Sequence, residues 1–285
     1  MGAVLLNGKE VSEKIIFECQ KRAEKLSIPP TLAVLLVGDD PASAVYVRNK
    51  ERSCERAGIR SVTKKFPSDV TEKEILQEIE KLNVDESITG FIVQLPLPAH
   101  ISERKVIEAI DPVKDADGFH PFNVGRVFLS KETEILAPAT PAGIIRLFEE
   151  YQIDPAGKEV VVVGRSNIVG KPIAVMLTNR SATVTVCHSK TKNLTEHTRR
   201  ADILIVAIGK AQFITADMVR EGAVVIDVGM NRLPDGKLVG DVHFEEVAQK
   251  ASFITPVPGG VGLLTVASLL MNTIRAAEEK EKRTP

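Results

Sequence analysis

The chain has 285 residues, 44% of them hydrophobic, and a formal net charge of −1 at pH 7. This length and apolar content suit a globular, soluble protein with two domains of roughly 150 residues. Basic and acidic residues are mixed along the chain and no run approaches ~20 apolar residues, so we expect neither nucleic acid nor a membrane as a partner. Small-molecule chemistry is the class of function that remains.

The first half of the sequence alternates strands and helices. The start of its long first helix is marked by Asp40 as an N-cap residue followed by Pro41, and its end is marked by Gly58. In chain order, the predicted elements are a strand over 32–37, a helix over 41–57, a strand over 61–66, a helix over 71–83 and a strand over 90–94.

The second half repeats this alternation after a segment without clear periodicity. Residues 111–141 are rich in Asp, Gly and Pro, so we predict loops there, then a helix beginning near Pro141. The strands predicted beyond it cover 160–163, 183–186, 203–207 and 223–228, and a last helix begins near Leu263.

This alternation predicts an α/β protein with a doubly wound parallel sheet. We predict an N-terminal α/β domain over 1–140, onto which a C-terminal helix over 265–285 packs back. A Rossmann-like domain is predicted over 141–264. Ligands of such sheets gather at the carboxyl ends of the strands, and we expect the active-site cleft between the two domains.

The strongest local signal is a β-branched strand that runs into Gly164 and then into a helix start. Gly164 permits a sharp turn, and the free N–H groups of the helix attract a pyrophosphate. The spacing departs from Gly-x-Gly-x-x-Gly, because Ser166 takes the middle position and Gly170 falls six residues after the first glycine. Taken alone, this loop is weak evidence, and the alternative is an ordinary strand, turn and helix of any α/β domain.

The residues that follow favour NADP over NAD. NAD-specific domains carry an acidic residue about 20 positions after the first glycine, where it binds the ribose hydroxyl. Here residues 187–192 offer hydroxyls and cations instead, among them Ser189, and Arg165 adds a cation that can face a 2′-phosphate.

Candidate catalytic side chains lie in the first half. Tyr46 and Lys50 are four residues apart and therefore share one helix face, and a lysine partly removed from water there would have a lowered pKa and act as an acid or base. The alternative is a solvated lysine on an amphipathic helix. Gln94 ends an apolar strand and would point toward the same crevice.

Two further segments carry polar or flexible chemistry. Asp115 and Asp117 lie in one predicted turn, where they either bind a ligand or form an Asx-turn with solvated acids. Residues 255–262 are rich in Pro and Gly, which lets the backbone approach a flat ligand closely.

A metal site and disulfides are not predicted. The histidines are scattered, and His188 is interpreted as a packing or capping residue because no ligand lies at metal spacing beside it. Cys19, Cys54 and Cys187 are far apart and odd in number, which argues against a disulfide framework. Because the N-terminus has no signal-peptide pattern, we expect a cytoplasmic protein.

These segments, in this order, resemble the bifunctional methylenetetrahydrofolate dehydrogenase/methenyltetrahydrofolate cyclohydrolase family of one-carbon metabolism. The resemblance spans nearly the whole chain. Its matching stretches are 37–43 with Tyr46 and Lys50, 93–98, 114–118, 164–172 and 255–262.

The resemblance implies NADP-dependent oxidation of 5,10-methylenetetrahydrofolate to the methenyl form, followed by hydrolysis to 10-formyltetrahydrofolate. It implies that Tyr46 stacks on the folate, Lys50 is the catalytic lysine, Gln94 tunes that lysine and Asp117 grips the pteridine. It places Arg165 and Ser189 at the 2′-phosphate. The other contacts it implies are Gly164, Ser166, Ile168 and Gly170 to the cofactor, and Leu95, Pro258, Gly259 and Gly260 to the substrate.

Two departures from the family pattern and two rival functions stay open. Ala139 and the pair Leu263-Leu264 differ from the usual residues, and we expect altered packing or affinity from them rather than lost chemistry. The rivals are an NADP-dependent dehydrogenase of the shikimate type and a catalytically silent NADP-binding module. The resemblance also implies a homodimer through the cofactor domain.

Overall fold

The computed structural model describes residues 2–38 and 41–283, and in the helix that begins at Pro41 it describes side chains from residue 47 onward. The predicted N-cap Asp40 and the side chain of Tyr46 therefore lie outside the described part. In chain order, the strands are β1 (Val4–Leu5), β2 (Thr31–Val37), β3 (Arg60–Phe66), β4 (Gly90–Val93), β5 (Glu159–Val163), β6 (Thr183–Cys187), β7 (Ile203–Val206), β8 (Val224–Asp227), β9 (Asn231–Arg232), β10 (Leu238–Val239) and β11 (Phe253–Ile254).

Helices lie between many of these strands along the chain. In chain order, they are α1 (Gly8–Ala23), α2 (Pro41–Arg56), α3 (Glu72–Val84), α4 (Glu103–Ala109), α5 (Pro121–Leu129), α6 (Ala139–Glu150), α7 (Gly170–Thr178), α8 (Leu194–Thr198), α9 (Phe244–Val247) and α10 (Val261–Arg283), with 3-10 turns at Lys131–Thr133 and Ala216–Met218.

The larger sheet has six strands in the order β1-β11-β8-β7-β5-β6, and its pairs are parallel. The central strand β7 is buried along its whole length, and β5 is buried except at its first residue. Such continuous burial of Val, Ile and Leu is typical of parallel sheets covered on both faces. The predicted α/β class with a doubly wound parallel sheet is confirmed.

The smaller sheet has three parallel strands in the order β3-β2-β4. All seven residues of β2 are buried, so this strand forms the centre of the N-terminal core. Helix α3 covers the sheet and begins with a capping box, in which the Thr71 hydroxyl accepts from the Glu74 backbone and the Glu74 carboxylate accepts from the Thr71 backbone. Gly58, which was predicted to end α2, has a left-handed φ of +69°.

One prediction about this half was wrong. Residues 111–141 are not all loop, since they contain α5 and the 3-10 turn after it. The reason is the placement of the apolar side chains on α5. Phe122 is 57% exposed and Phe128 is 71% exposed, whereas the polar Asn123 is buried together with Val127. A helix that buries a polar residue and exposes its aromatic ones hides the period on which the prediction depended.

Two compact units divide the chain. The first comprises Met1–Ser12, Val127–Thr133 and Thr140–Thr265, and the second comprises Glu13–Arg126, Glu134–Ala139 and Val266–Pro285. Compared with the predicted domains, residues 1–12 and 127–133 belong to the other unit. The N-terminal segment does so because β1 pairs with β11 and thereby joins the larger sheet.

The described residues also bear on the cysteines, on metal binding and on membrane spans. The cysteines at 19, 54 and 187 are buried and not bonded to one another. Over residues 2–38 and 41–283, no group of three or more His, Cys, Asp or Glu is placed to hold a metal ion. Within the same ranges, no helix combines the length and the apolar character needed to cross a bilayer.

Candidate active site

The central feature of the N-terminal unit is a buried lysine held by an amide. Lys50 lies on α2 and is only 8% exposed, and its Nζ atom donates to Oε1 of Gln94 at 2.8 Å. Gln94 follows β4, where its backbone N–H donates to the carbonyl of Leu35 on β2. The Gln94 amide is oriented by its own Nε2, which donates to the carbonyl oxygen of Leu95 at 2.8 Å. The solvated-lysine alternative is therefore wrong.

Burial lowers the pKa of Lys50, because desolvation penalises the ammonium, and the nearby carboxylate of Asp117 opposes that shift. Gln94 does not supply the lowering. Its contact with the lysine is a carbonyl oxygen, which accepts from an ammonium at least as well as from an amine. Burial therefore favours the neutral lysine, and the contact of Gln94, which the resemblance implies tunes this lysine, holds the amine in place.

The two predicted carboxylates of residues 114–118 have different roles. Asp115 is buried and accepts from the backbone N–H groups of Gly118 at 3.0 Å and His120 at 2.8 Å, and from Nδ2 of Asn123 at 2.9 Å. It therefore builds the turn, as in the Asx-turn alternative. Asp117 is the carboxylate that the turn presents.

Asp117 is half-buried, and among the residues whose side chains are described, 2–38 and 47–282, none donates a hydrogen bond to its carboxylate. Desolvation raises the pKa of Asp117 to about 6, the positive charge of Lys50 opposes the shift, and Asp115 adds to it. An acidic group with unused acceptors beside a buried lysine is suited to bind a ligand with N–H donors. The structure thus brings three predicted residues together: Lys50, Gln94 and Asp117.

Other backbone atoms approach two glycines of the predicted cofactor loop so closely that a side chain would not fit there. Gly164 has a φ of +132°, and a Cβ added there would lie 2.3 Å from the carbonyl oxygen of Ala207. A Cβ on Gly170 would lie 2.3 Å from the carbonyl oxygen of Gly164. The hydroxyl of Ser166 accepts from the N–H groups of Val169 at 3.1 Å and Gly170 at 3.3 Å, so it organises the start of α7.

Arg165 and Ser189 follow neighbouring strands. Val163 pairs with Cys187, and the Gly164 N–H continues the pairing by donating to the Cys187 carbonyl at 2.9 Å. Each of the two predicted phosphate ligands lies two residues beyond a member of that pair, and both are exposed. An exposed guanidinium and a hydroxyl at the carboxyl ends of parallel strands fit a ribose 2′-phosphate.

The loop after β6 is stiffened by its own side chains. The His188 N–H donates to Oγ1 of Thr191 at 2.8 Å, the Thr191 N–H donates to the His188 carbonyl at 2.8 Å, and Nδ1 of His188 accepts from the Lys190 N–H at 3.1 Å. These bonds give His188 a turn-forming role. Ile168, the remaining predicted cofactor contact, is 38% exposed in the loop before α7.

The glycine-rich segment 255–262 is exposed at one residue and packed inside the protein at another. Gly259 has a φ of +105° and follows Pro258, which is exposed. Gly260 is buried, and a Cβ added at Gly8 would lie 2.0 Å from its carbonyl oxygen. Part of the close backbone approach predicted for a ligand is thus made by the protein itself.

Sequence reasoning missed a pair of buried carboxylates, one at the end of β8 and the other shortly after β10. Asp227 ends β8 and is 3% exposed, and Asp241 is fully buried. Burial raises the pKa of Asp227 to about 6 against three backbone hydrogen bonds. Its donors are the N–H groups of Gly229, Asp241 and Val242, and those of Asp241 are the N–H groups of Ile208, Gly209 and Lys210 with Nδ2 of Asn231.

Of the two, Asp227 was detectable in principle. An acidic residue at the end of an apolar strand is the same signal that drew attention to Gln94. The carboxylates fix the backbone of the loop after β7, at the edge of the sheet where the predicted cofactor loop lies.

The two departures from the family pattern, Ala139 and the pair Leu263-Leu264, are apolar residues. Ala139 is buried, and its backbone N–H donates to the Asp117 carbonyl at 3.2 Å, a bond that does not depend on the side chain. Leu263 is 42% exposed in the first turn of α10, whereas Leu264 is fully buried against Gly143.

Comparison with known proteins identifies the family. Residues 6–117 match the family model described as tetrahydrofolate dehydrogenase/cyclohydrolase, catalytic domain, and residues 138–281 match the NAD(P)-binding domain of the same family. The bifunctional protein FolD of Halalkalibacterium halodurans is 57% identical over 282 residues, which cover 98% of this chain and 100% of the relative.

Solved structures agree with these matches. The bifunctional FolD enzyme of Campylobacter jejuni is 49% identical with a TM-score of 0.95, covering 98% of this chain and 99% of its own. The Trypanosoma brucei enzyme, solved with NADP cofactor and inhibitor, is 34% identical with a TM-score of 0.94, and the match covers 99% of both chains.

The shikimate alternative is supported only at the level of the fold. A shikimate dehydrogenase in complex with NADP+ is 14% identical with a TM-score of 0.51 over 88% of this chain and 96% of its own. Full-length relatives and both family models place the chain elsewhere, and it belongs to the tetrahydrofolate dehydrogenase/cyclohydrolase family.

Proposed function

We propose that this enzyme oxidises 5,10-methylenetetrahydrofolate to 5,10-methenyltetrahydrofolate with NADP+ and then hydrolyses the product to 10-formyltetrahydrofolate. The observation that carries the proposal is the buried Lys50 amine, held 2.8 Å from Gln94 and electrostatically coupled to Asp117. The solved Trypanosoma brucei relative, a dehydrogenase-cyclohydrolase, was complexed with NADP.

Asp117 binds the pteridine in this proposal. Its ionised carboxylate has two oxygens that accept from adjacent N–H donors of an aminopyrimidinone ring. The lack of a protein donor to this carboxylate within the described residues leaves both oxygens available. Leu95, Pro258, Gly259 and Gly260 complete the proposed substrate contacts, and Tyr46 is proposed to stack on the folate.

NADP+ supplies the hydride acceptor when it is bound. The chain's part in this step is alignment, for which Arg165 and Ser189 would hold the 2′-phosphate, with Gly164, Ser166, Ile168 and Gly170 around them. The exposed Arg165 guanidinium and the absence of a carboxylate in residues 187–192 support NADP over NAD.

Lys50 serves mainly the hydrolysis. Water attacks the methenyl carbon and loses a proton, which leaves a hydroxyl on that carbon. The bond from the carbon to one ring nitrogen then breaks as the nitrogen gains a proton and the hydroxyl loses its proton to become the formyl carbonyl. A buried amine with a lowered pKa can take the first proton and deliver it to the nitrogen. The net reaction consumes one water and releases one proton.

A spectrophotometric assay tests the proposal. The purified protein is mixed with 5,10-methylenetetrahydrofolate and NADP+, and reduced cofactor and methenyl intermediate are followed separately, with NAD+ in a parallel cuvette. We expect cofactor reduction, methenyl decay faster than in buffer, and a slower reaction with NAD+. Binding of NADP without any turnover would instead support a silent cofactor-binding module.

We further propose a homodimer through the cofactor domain, in the cytoplasm. Strand β6 is the last strand of the larger sheet, and Val186 on it is 38% exposed. An unpaired strand edge is a ready surface for a second copy. Three buried, unbonded cysteines suit a reducing compartment. Light scattering should give a dimer mass, and Val186→Lys should shift it toward the monomer.

A further inference from the structure

A buried asparagine on the C-terminal helix contacts the turn that carries Asp117. Asn272 lies on α10 and is 1% exposed. Its Nδ2 atom donates to the carbonyl oxygens of Ala116 at 2.9 Å and Ala137 at 2.8 Å. Because both partners are acceptors, only the NH₂ end of the amide can face them.

The other end of this amide has no partner. Oδ1 of Asn272 is buried and accepts no hydrogen bond from the described residues. An unsatisfied buried oxygen destabilises the fold, so the side chain is not explained by packing alone. Its function in the structure is to donate twice.

One of the two carbonyls belongs to the turn that carries Asp117, and the other belongs to a segment that packs against this turn. The Ala139 N–H donates to the Asp117 carbonyl at 3.2 Å, and a Cβ added at Gly118 would lie 2.4 Å from the carbonyl carbon of Ala137. Asn272 thus ties the turn that carries Asp117 to the 135–139 segment.

A second residue on the same helix hydrogen-bonds the 135–139 segment. Arg275, about one turn beyond Asn272, donates from Nη1 to the Ile135 carbonyl at 3.1 Å. Asn272 and Arg275 on α10 therefore both contact the 135–139 segment, and of these two residues Asn272 also reaches the Asp117 turn.

We infer that Asn272 is a positioning residue, which sets the direction of the Asp117 carboxylate through the backbone of Ala116 and Ala137. The inference rests on the proposed role of Asp117 in pteridine binding and extends it to a residue that does not touch the substrate. Misplacing a binding group by 1 Å can lower a rate about 100-fold.

The test is a double-mutant cycle with kinetic readouts. Asn272→Leu removes both donors at similar side-chain volume, and we expect the KM for 5,10-methylenetetrahydrofolate to rise about 10-fold or more while the KM for NADP+ stays within about 2-fold. In an Asp117→Asn background the same change should alter the folate KM by less than about 2-fold, because the group it positions is already impaired.

The control is Thr273→Val on the same helix. Thr273 is equally buried, but its hydroxyl donates only to the Leu269 carbonyl within α10. This variant should keep the wild-type folate KM. Asn272→Ser, which is smaller and introduces no apolar clash, is the second variant in case Asn272→Leu does not fold, and it should also raise the folate KM selectively.

The results that would contradict the role of Asn272 differ from the result that would contradict the role of Asp117. A folded Asn272 variant with a wild-type folate KM, or equal effects of Asn272→Leu in both backgrounds, would overturn the positioning role. If Asp117→Asn alone leaves the folate KM unchanged, the role proposed for Asp117 itself fails, and this result is distinguishable from the others.

Discussion

The Nζ atom of Lys50 and Oε1 of Gln94 lie 2.8 Å apart although the residues are 44 positions apart in the chain. One comes from the middle of α2 and the other from the residue after β4. The contact fixes a buried amine at the carboxyl end of the smaller sheet, where ligands of α/β proteins gather. Variants of Lys50 can therefore test whether this amine is needed for the hydrolysis and not for the hydride transfer.

Lys50→Met should abolish most of the cyclohydrolase activity and spare most of the dehydrogenase activity. Methionine keeps the apolar stem but has no group that carries a proton, and such a group contributes about 100-fold or more to a hydrolysis. Hydride transfer depends mainly on alignment. Methenyl decay and cofactor reduction are measured separately.

Lys50→Arg is the matched variant for that experiment. It keeps a positive charge but cannot become neutral at working pH, so it should lose hydrolysis as well. Near-full hydrolysis by a folded Lys50→Met enzyme would contradict the proton-transfer role of this lysine.

Asp117→Asn should weaken folate use without affecting the cofactor. The amide offers one acceptor where the carboxylate offers two, and a hydrogen bond to a charged group contributes about 1.5–3 kcal/mol, which corresponds to roughly a 10–100-fold loss in kcat/KM for the folate. The KM for NADP+ should stay near the wild-type value. Asp111→Asn, a change in a carboxylate that caps the exposed Val113 backbone, serves as the control.

The acid limb of the pH profile should report Asp117. Its pKa is raised to about 6, so the carboxylate is ionised above that pH and gains a proton below it. Folate kcat/KM should therefore fall as the pH drops through about 6 and level off above it. At higher pH the lowered pKa of Lys50 should let hydrolysis rise as more amine becomes neutral. A profile of Asp117→Asn that kept the same acid limb would assign this limb to another group.

Arg165→Ala should raise the KM for NADP+ about 10–100-fold and leave the KM for NAD+ nearly unchanged, because a charge-assisted bond to the 2′-phosphate is lost. Lys158→Ala is a suitable control, since this exposed cation precedes the same strand β5 at its opposite end. Equal loss with both cofactors would show that Arg165 supports the loop rather than the phosphate.

Gly240→Ala should destabilise the cofactor-binding unit strongly. A Cβ there would lie 1.8 Å from Oδ2 of Asp227, so the buried carboxylate network must move. Displacing a hydrogen-bonded buried carboxylate costs about 3 kcal/mol or more. Thermal unfolding monitored by circular dichroism measures the effect.

Gly125→Ala is the opposite case and the control for that measurement. Gly125 lies within α5 with open space around its Cα, so alanine should stabilise the helix by up to about 1 kcal/mol. A Gly240→Ala protein that unfolds at the wild-type temperature would mean that the two carboxylates are not held as tightly as their seven hydrogen bonds indicate.

The sequence by itself determined the elements whose signals are local. The β-branched run before Gly164 predicted β5, and the helix predicted over 71–83 begins one residue later, at Glu72. The family resemblance rests on short motifs of the same local kind. Helix α5 was missed because its buried positions include Asn123 while its aromatic residues face solvent, so the local pattern and the actual packing disagree.

Only the tertiary structure decided which polar residues work together. Asp115 and Asp117 are indistinguishable as sequence, and they differ because three donors fold onto the first and a buried lysine lies near the second. Asn272 reaches a carbonyl 156 positions away, and no local period encodes such a contact. Hydrogen bonding and desolvation depend on what surrounds an atom in space, whereas periodicity and capping depend on neighbours along the chain.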